Sequence, residues 1–283
     1  MKVNEIITNQ IVENLEKSGK WIKSWQSLTN INADSKKQYR GINTLLLAMA
    51  REKHGFKSNY WLTYKQAEKL KGNIKKGSKG TIIIFYKKLE PKTKIIDNKK
   101  MIDSNSPTMA LRYYKVFNLD QAENIEINDQ LIGENNQDIP KAYNVAFNYL
   151  NKHEITVSNW HDSACYIPKL DKIEMPDLKQ FSSSDSYYKT FFHEIVHSTG
   201  IEKRLNRYSN DQSKLNDLEG HSKEELIAEL GSLFLNSYVG LDINIKNSSA
   251  YIKGWIKALK NDSQMVISAS SKAQKAFEYI ITN

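Results

Sequence analysis

The sequence predicts an α+β protein of two domains: a basic α/β domain over residues 1–122, a linker at 123–140 and a helix-rich second domain over 141–283. Three observations carry this. Stretches of helical period alternate with short apolar runs of strand length. The charge is split, with 24 Lys and Arg against 10 Asp and Glu in residues 1–120, and 17 against 22 in residues 121–283. Between the halves, Glu123 to Pro140 is acidic, Asn-rich and poor in aromatics, the composition of a linker. A chain of 283 residues is long enough for each domain to bury a core. Cys165 is the only cysteine, so no disulfide forms within the chain and a reducing, cytoplasmic setting is expected. The first twenty residues hold no signal-like apolar run, and no stretch approaches the roughly 18 apolar residues of a membrane span, so no membrane partner is expected.

In chain order, Val3, Ile6, Ile7, Ile11, Val12 and Leu15 recur at helical spacing, and Ser18-Gly19 ends that helix. A loop with Trp21 and Trp25 follows. A second helix is expected over 42–53, then a short strand at Asn59 to Leu62, then a helix capped by Thr63. The basic turn Lys75 to Gly80 feeds a strand over Thr81 to Tyr86. Leu89 to Met109 is polar and reads as a mobile hairpin loop, and Arg112 to Phe117 as the returning strand. Beyond the linker, Lys141 to Lys152 is a helix. His161 to Tyr166 and Asp171 to Met175 are short strands, the second expected at a sheet edge where it could line a cleft. Ser249 to Lys260 and Lys272 to Ile281 are helical by pattern.

The stretch with the most chemistry is His193-Glu194-Ile195-Val196-His197, the pattern H-E-x-x-H. At i, i+4 both imidazoles share one face of a helix and can converge on one cation. Glu194 is placed to take a proton from a bound water rather than to ligate. Tyr188, Phe192, Ile195, Val196 and Thr199 supply the apolar stripe, Ser183 to Ser186 the N-cap candidates and Gly200 a C-terminus. A third ligand is needed. The metzincin pattern would put a histidine six residues after His197, but that position is Lys203. The better source is the amphipathic stretch Ser222 to Leu235, which supplies Glu225 as third ligand and Glu229 as the acceptor that orients a histidine, with Ala228 and Gly231 small enough for close packing. Glu225 also fits a capping box with Ser222, in which case Glu229 or His221 becomes the ligand. Two imidazoles and a carboxylate suit zinc, with manganese or another divalent ion as the alternative.

The basic half interleaves cations with aromatics, which points to nucleic acid: cations neutralise phosphates while rings stack on unpaired bases. Trp21, Trp25, Tyr39 and Trp61 are the candidate stacking residues, with Lys23, Arg40, Lys65, Lys75, Lys76 and Lys79 along the phosphate path. Phe85, inside the apolar run between Ile84 and Tyr86, reads as core.

Several segments together, Trp21-Ile-Lys-Ser-Trp25, Tyr39-Arg-Gly-Ile-Asn43, Tyr60 to Ala67, Lys76 to Gly80, Tyr114 to Gln121, Asp171 to Pro176, His193 to Gly200, Arg204-Leu-Asn-Arg207 and Glu224 to Leu235, resemble the ArdC-type antirestriction proteins of conjugative plasmids and other mobile elements. The resemblance covers nearly the whole chain. It implies an N-terminal single-stranded-DNA-binding domain, a C-terminal zincin-like metallopeptidase domain, and a protein that accompanies DNA into a recipient cell and protects it from restriction. A host restriction or defence protein is then the expected protein partner. Ser24 and Ile201 depart from the family, which often has proline and histidine there; neither is a proposed ligand. A peptidase with an unrelated substrate and a DNA-binding shield with a structural metal are the alternatives.

Overall fold

The computed structural model describes residues 2–18, 30–89, 93–96, 99–102, 109–127, 138–159, 163–181, 183–208, 218–241 and 249–282. In the first half, α1 (Val3–Ser18) and α2 (Ile42–His54) flank a four-stranded sheet of order β1-β2-β7-β4. Its strands are β1 (Ile31–Asn32), β2 (Tyr60–Leu62), β7 (Met109–Asn118) and β4 (Thr81–Lys88). Strand β1 runs parallel to β2, and the other pairings are antiparallel. The short α3 (Tyr64–Lys69) starts at Thr63, whose hydroxyl accepts from the Gln66 amide while the Gln66 side chain accepts from the Thr63 amide, a reciprocal cap. Strand β3 (Asn73–Ile74) pairs with β8 (Ala122–Glu123). Within 89–109, expected as loop, β5 (Thr93–Ile96) and β6 (Lys99–Ile102) form an antiparallel ribbon.

The second half holds α4 (Asp138–Lys152), a three-stranded sheet, α5 (Ser184–Ser198), α6 (Leu218–Val239), α7 (Ser249–Asn261) and α8 (Met265–Thr282). Pro140 lies in the first turn of α4, where its missing N–H costs nothing. The sheet order is β10 (Cys165–Ile167), β11 (Lys172–Met175), β9 (Thr156–Asn159). This corrects the edge assignment of Lys172 to Met175. That strand lies in the middle, because Thr156 to Asn159 supplies a parallel partner that its mixed polar sequence concealed; the antiparallel edge beside α5 is β10.

Helix α6 is central. Residues 226–236 are all buried, so the helix is enclosed on every side, with α5, α8, α4 and α7 around it. The largest core draws on both halves: Ile7, Ile11 and Leu15 of α1, Leu45 of α2 and Ile84 of β4 join residues of α4 to α8. Among the described residues no helix is long and apolar enough to cross a membrane.

Helices α5 and α6 pack at Gly231. A Cβ there would stand 2.8 and 2.9 Å from the two γ-methyls of Val196, a fully buried and β-branched side chain with no room to turn. Gly231→Ala is therefore expected to destabilise the chain by about 1–3 kcal/mol in chemical unfolding, and a second change, Val196→Ala, to recover much of that loss.

Candidate metal centre

Helix α5 begins at Ser183, whose hydroxyl accepts from the Ser186 amide, with Asp185 in the first turn to complement the helix dipole. Tyr188, Phe191, Phe192, Ile195 and Val196 are buried, which fixes the rotation of the helix. His193 and His197 then face α6. Their Nε2 atoms are 3.1 Å apart, and the Glu225 carboxylate faces both, with one oxygen 3.4 Å from His193 Nε2 and the other 3.3 Å from His197 Nε2. Donors held about 2.0–2.1 Å from a tetrahedral ion stand roughly 3.3 Å from one another. The imidazole nitrogens stand close to that spacing with one Glu225 oxygen beside each, and the N2O donor set suits a first-row divalent ion.

The far nitrogens of both rings also meet carboxylates. His193 Nδ1 is 3.6 Å from Glu229, and His197 Nδ1 is 3.5 Å from Glu224. This arrangement sets ring orientation and leaves each Nε2 lone pair directed inward. Glu194 is buried beside them. Burial alone would lower the His193 pKa from its ordinary 6.5, but the contacts with Glu225 and Glu229 outweigh it and push it up to about 10. His197 is likewise raised, against burial, by Glu224 and Glu225. Burial raises the Glu225 carboxyl, yet its two imidazole partners hold it well below its ordinary 4.5. A buried cluster with this demand for positive charge fits a divalent cation.

Behind His197 lies a device that sequence reasoning missed. Arg207 donates to both oxygens of Glu224, at 2.6 and 3.1 Å, and also to the Val196 carbonyl at 2.9 Å and to Thr199 Oγ1 at 2.6 Å. The Tyr208 hydroxyl donates to the His197 carbonyl at 2.6 Å, and Arg204 donates to the Ser198 carbonyl at 2.7 Å while gripping Asp171. The last carbonyls of α5, those of Val196 and His197 already accepting from the Thr199 and Gly200 amides, are thus capped further by side chains of the following loop. Gly200 is glycine because the Tyr208 ring lies where a Cβ would stand. The usable signal was two arginines, Arg204 and Arg207, just after the metal helix: a buried guanidinium requires a carboxylate, and Glu224 adjoins Glu225.

The capping-box reading of Glu225 does not hold. Helix α6 starts at Leu218, so Ser222 lies inside it rather than at its N-cap. The side chain of His221 falls outside the described residues, and Glu229 faces the outer nitrogen of His193.

The nucleic-acid candidates fare differently. Trp21, Lys23 and Trp25 fall outside the described residues. Trp61 is corrected: it is fully buried with Leu47, Ile83 and Val116, and its indole N–H donates to Asn30 at 2.8 Å, so it offers no face to a base. Its neighbours Tyr60 and Leu62 are buried too, because β2 lies inside the sheet and is covered on both faces. Phe85 is corrected in the opposite sense, being 38% exposed. Tyr39 is half-buried against the Trp61 cluster, its hydroxyl accepting from Asn32. Arg40 is exposed and paired with Glu278 of α8. Lys65, Lys75, Lys76 and Lys79 are exposed, with the Lys75 ammonium donating to the Asp120 carbonyl.

Two predictions follow from the cluster. A His193→Ala/His197→Ala double variant is expected to lose its divalent ion in metal analysis, and Glu229→Gln to weaken metal affinity about 10–100-fold in competition with a chelating dye. In metal-free protein, the raised His193 pKa stabilises fully below pH 6.5, and that contribution is lost as pH rises through about 10. The depressed Glu225 pKa stabilises above pH 4.5 and fails as pH falls below it. Thermal melts in chelator are therefore expected to show the cluster contributing most between pH 4.5 and 6.5, and added divalent ion to raise Tm most on the alkaline side of that window.

The family model for the N-terminal domain of anti-restriction factor ArdC matches residues 1–117, and that for a zincin-like metallopeptidase matches 145–272. A crystal structure of the antirestriction ArdC protein from the R388 plasmid, metal-free, is 28% identical, with a TM-score of 0.78 over 99% of this chain and 97% of that one. Its Mn(II)-bound form gives 0.77 over the same shares. Two DNA primase TraC sequences of Escherichia coli are 32% and 31% identical over 98% of this chain, which spans only 27% and 20% of their lengths. The protein y4eC of Sinorhizobium fredii is 27% identical over 98% of this chain and 91% of its own length. With both modules present in the same order and a likeness running nearly end to end, the chain belongs to the ArdC antirestriction family, an ArdC N-terminal domain followed by a zincin-like metallopeptidase domain.

Proposed function

We propose that this chain is a single-stranded-DNA-binding antirestriction protein that protects incoming DNA from host restriction and carries a divalent ion on His193, His197 and Glu225. The observation that carries this is the pairing, through one core, of a strongly basic sheet domain with a buried two-histidine, one-carboxylate cluster. The likeness to the antirestriction ArdC protein of the R388 plasmid, over nearly all of both chains, supports the same reading. Residues 1–122 form the DNA-binding unit and 141–283 the metal unit, with 123–140 between them. Zinc is the default ion and manganese the alternative.

Within the metal unit the residues divide the work. His193, His197 and Glu225 hold the ion, while Glu229 and Glu224 orient the two rings from behind. A divalent ion held there would supply Lewis acidity at the site. Glu194, buried beside the two histidines, would serve as the general base, taking a proton from the attacking water and returning it to the leaving amine. Among the described residues β10, beside α5, is an edge strand paired on one side only, the position from which an extended peptide can be paired, which favours peptide-bond hydrolysis over a purely structural role for the ion. The substrate of that hydrolysis is a host restriction or defence protein.

The test joins both units in one protein. The full chain is expected to bind labelled single strands more tightly than duplex, with an affinity that falls steeply with salt. Glu194→Gln is expected to keep metal, fold and DNA affinity while losing peptidase turnover. Transfer of unmodified plasmid DNA into a restricting recipient then decides the role of hydrolysis: full protection by Glu194→Gln makes it dispensable, and loss of DNA binding by the parent chain defeats the proposal.

A further inference from the structure

Strands β4 and β7 pair over eight positions, from Thr81 with Val116 to Lys88 with Met109. Residues directly opposite share a face, so Ile83, Phe85 and Lys87 lie on the same side as Val116, Tyr114 and Arg112. One end of this face is rigid core, where Ile83 and Val116 are buried with Leu47 and Trp61. The other end is open. Phe85 and Tyr114 are 38% and 41% exposed, with ring centroids 5.1 Å apart and planes tilted by 53°. Lys87 and Arg112 are exposed beside them, and neither strand contains an Asp or Glu.

Two aromatic rings left in water on the face of a rigid sheet, flanked on the two strands by cations, are complementary to a polyanion that carries flat apolar faces. A partner strand is a poorer occupant. Strand β4 is the sheet edge, but the Asn43 side chain closes it at Ile84, accepting from the amide at 2.8 Å and donating to the carbonyl at 2.7 Å.

We infer that the open end of the β4–β7 face is the base-stacking platform of this protein, with Phe85 and Tyr114 stacking on unpaired bases of single-stranded DNA and Lys87 and Arg112 on its phosphates. This rests on the proposed single-stranded-DNA binding and locates it on residues that the sequence pattern assigned to the core or left aside. Tyr113, 48% exposed and opposite Ile84, points to the other face and belongs to no part of the platform.

The experiment is fluorescence anisotropy of a labelled oligothymidylate with the full chain. Phe85→Ala/Tyr114→Ala is expected to weaken binding tenfold or more with little change in melting temperature, and Tyr113→Ala to bind as the parent does. Phe85→Leu/Tyr114→Leu keeps apolar bulk without the ring face and is expected to weaken binding by a similar factor. Phe85→Tyr is expected to restore parental affinity beside an intact Tyr114. If the parent chain binds the oligonucleotide and both double variants bind it as tightly, the platform is wrong while the DNA-binding proposal stands. An equal loss in Tyr113→Ala overturns the assignment of the face, and a parent chain that binds no single strand defeats the underlying reading instead. A change in the oligomeric state of the double variants without loss of DNA binding assigns the face to protein contact and overturns the inference.

Discussion

The contact between Gly231 and Val196 sets the distance between α5 and α6, and the metal cluster depends on that distance. Two histidines one helical turn apart can converge whatever surrounds them. The carboxylates of α6 reach them only if the two helix backbones come close, and here a missing Cβ permits it. The result is a seam in which Glu224, Glu225 and Glu229 all face imidazole nitrogens. Arg207 and Tyr208 then close the open end of α5 and tie it to Glu224, so the loop after the helix is a structural part of the centre.

What the sequence disclosed was whatever depends on local period. The i, i+4 spacing of His193 and His197, the apolar stripe of α5 and the cap at Thr63 are written in neighbouring residues, and they can be read there. Long-range partners are not. Glu224 orients His197 only because Arg207 returns across the seam to hold it, and nothing within a helical turn of Glu224 announces that. Thr156 to Asn159 was missed as a strand because its inclusion depends on a partner, β11, more than ten residues away. Aromatic burial was the weakest inference. Trp61 sits among polar and aromatic neighbours and is buried, whereas Phe85 sits in an apolar run and is exposed. In a strand the fate of a ring is decided by what covers that face at that point, and the covering groups, such as Leu47 in the cluster that buries Ile83, come from another element.

The halves are distinct in charge and in family, yet they do not keep separate interiors. Side chains of α1 and α2 enter the same apolar cluster as α4 to α8. Polar ties reinforce this: Gly41 donates its amide to Gln274 of α8, and Arg40 meets Glu278 on the same helix. The basic half and the candidate metal centre are thereby held in one body.

Helix α1 completes this interior from far away in the chain. Asn4 donates to the Ser263 hydroxyl at 2.8 Å across a separation of 259 residues, Thr8 donates to the Ser263 carbonyl, and Glu16 meets Lys260. Burial of Ile7, Ile11 and Leu15 thus draws on contacts between residues as far as 259 positions apart. Docking α1 closes a loop over most of these residues, at an entropic cost that grows only slowly with loop length, and contacts so distant in sequence are of the kind that slow folding.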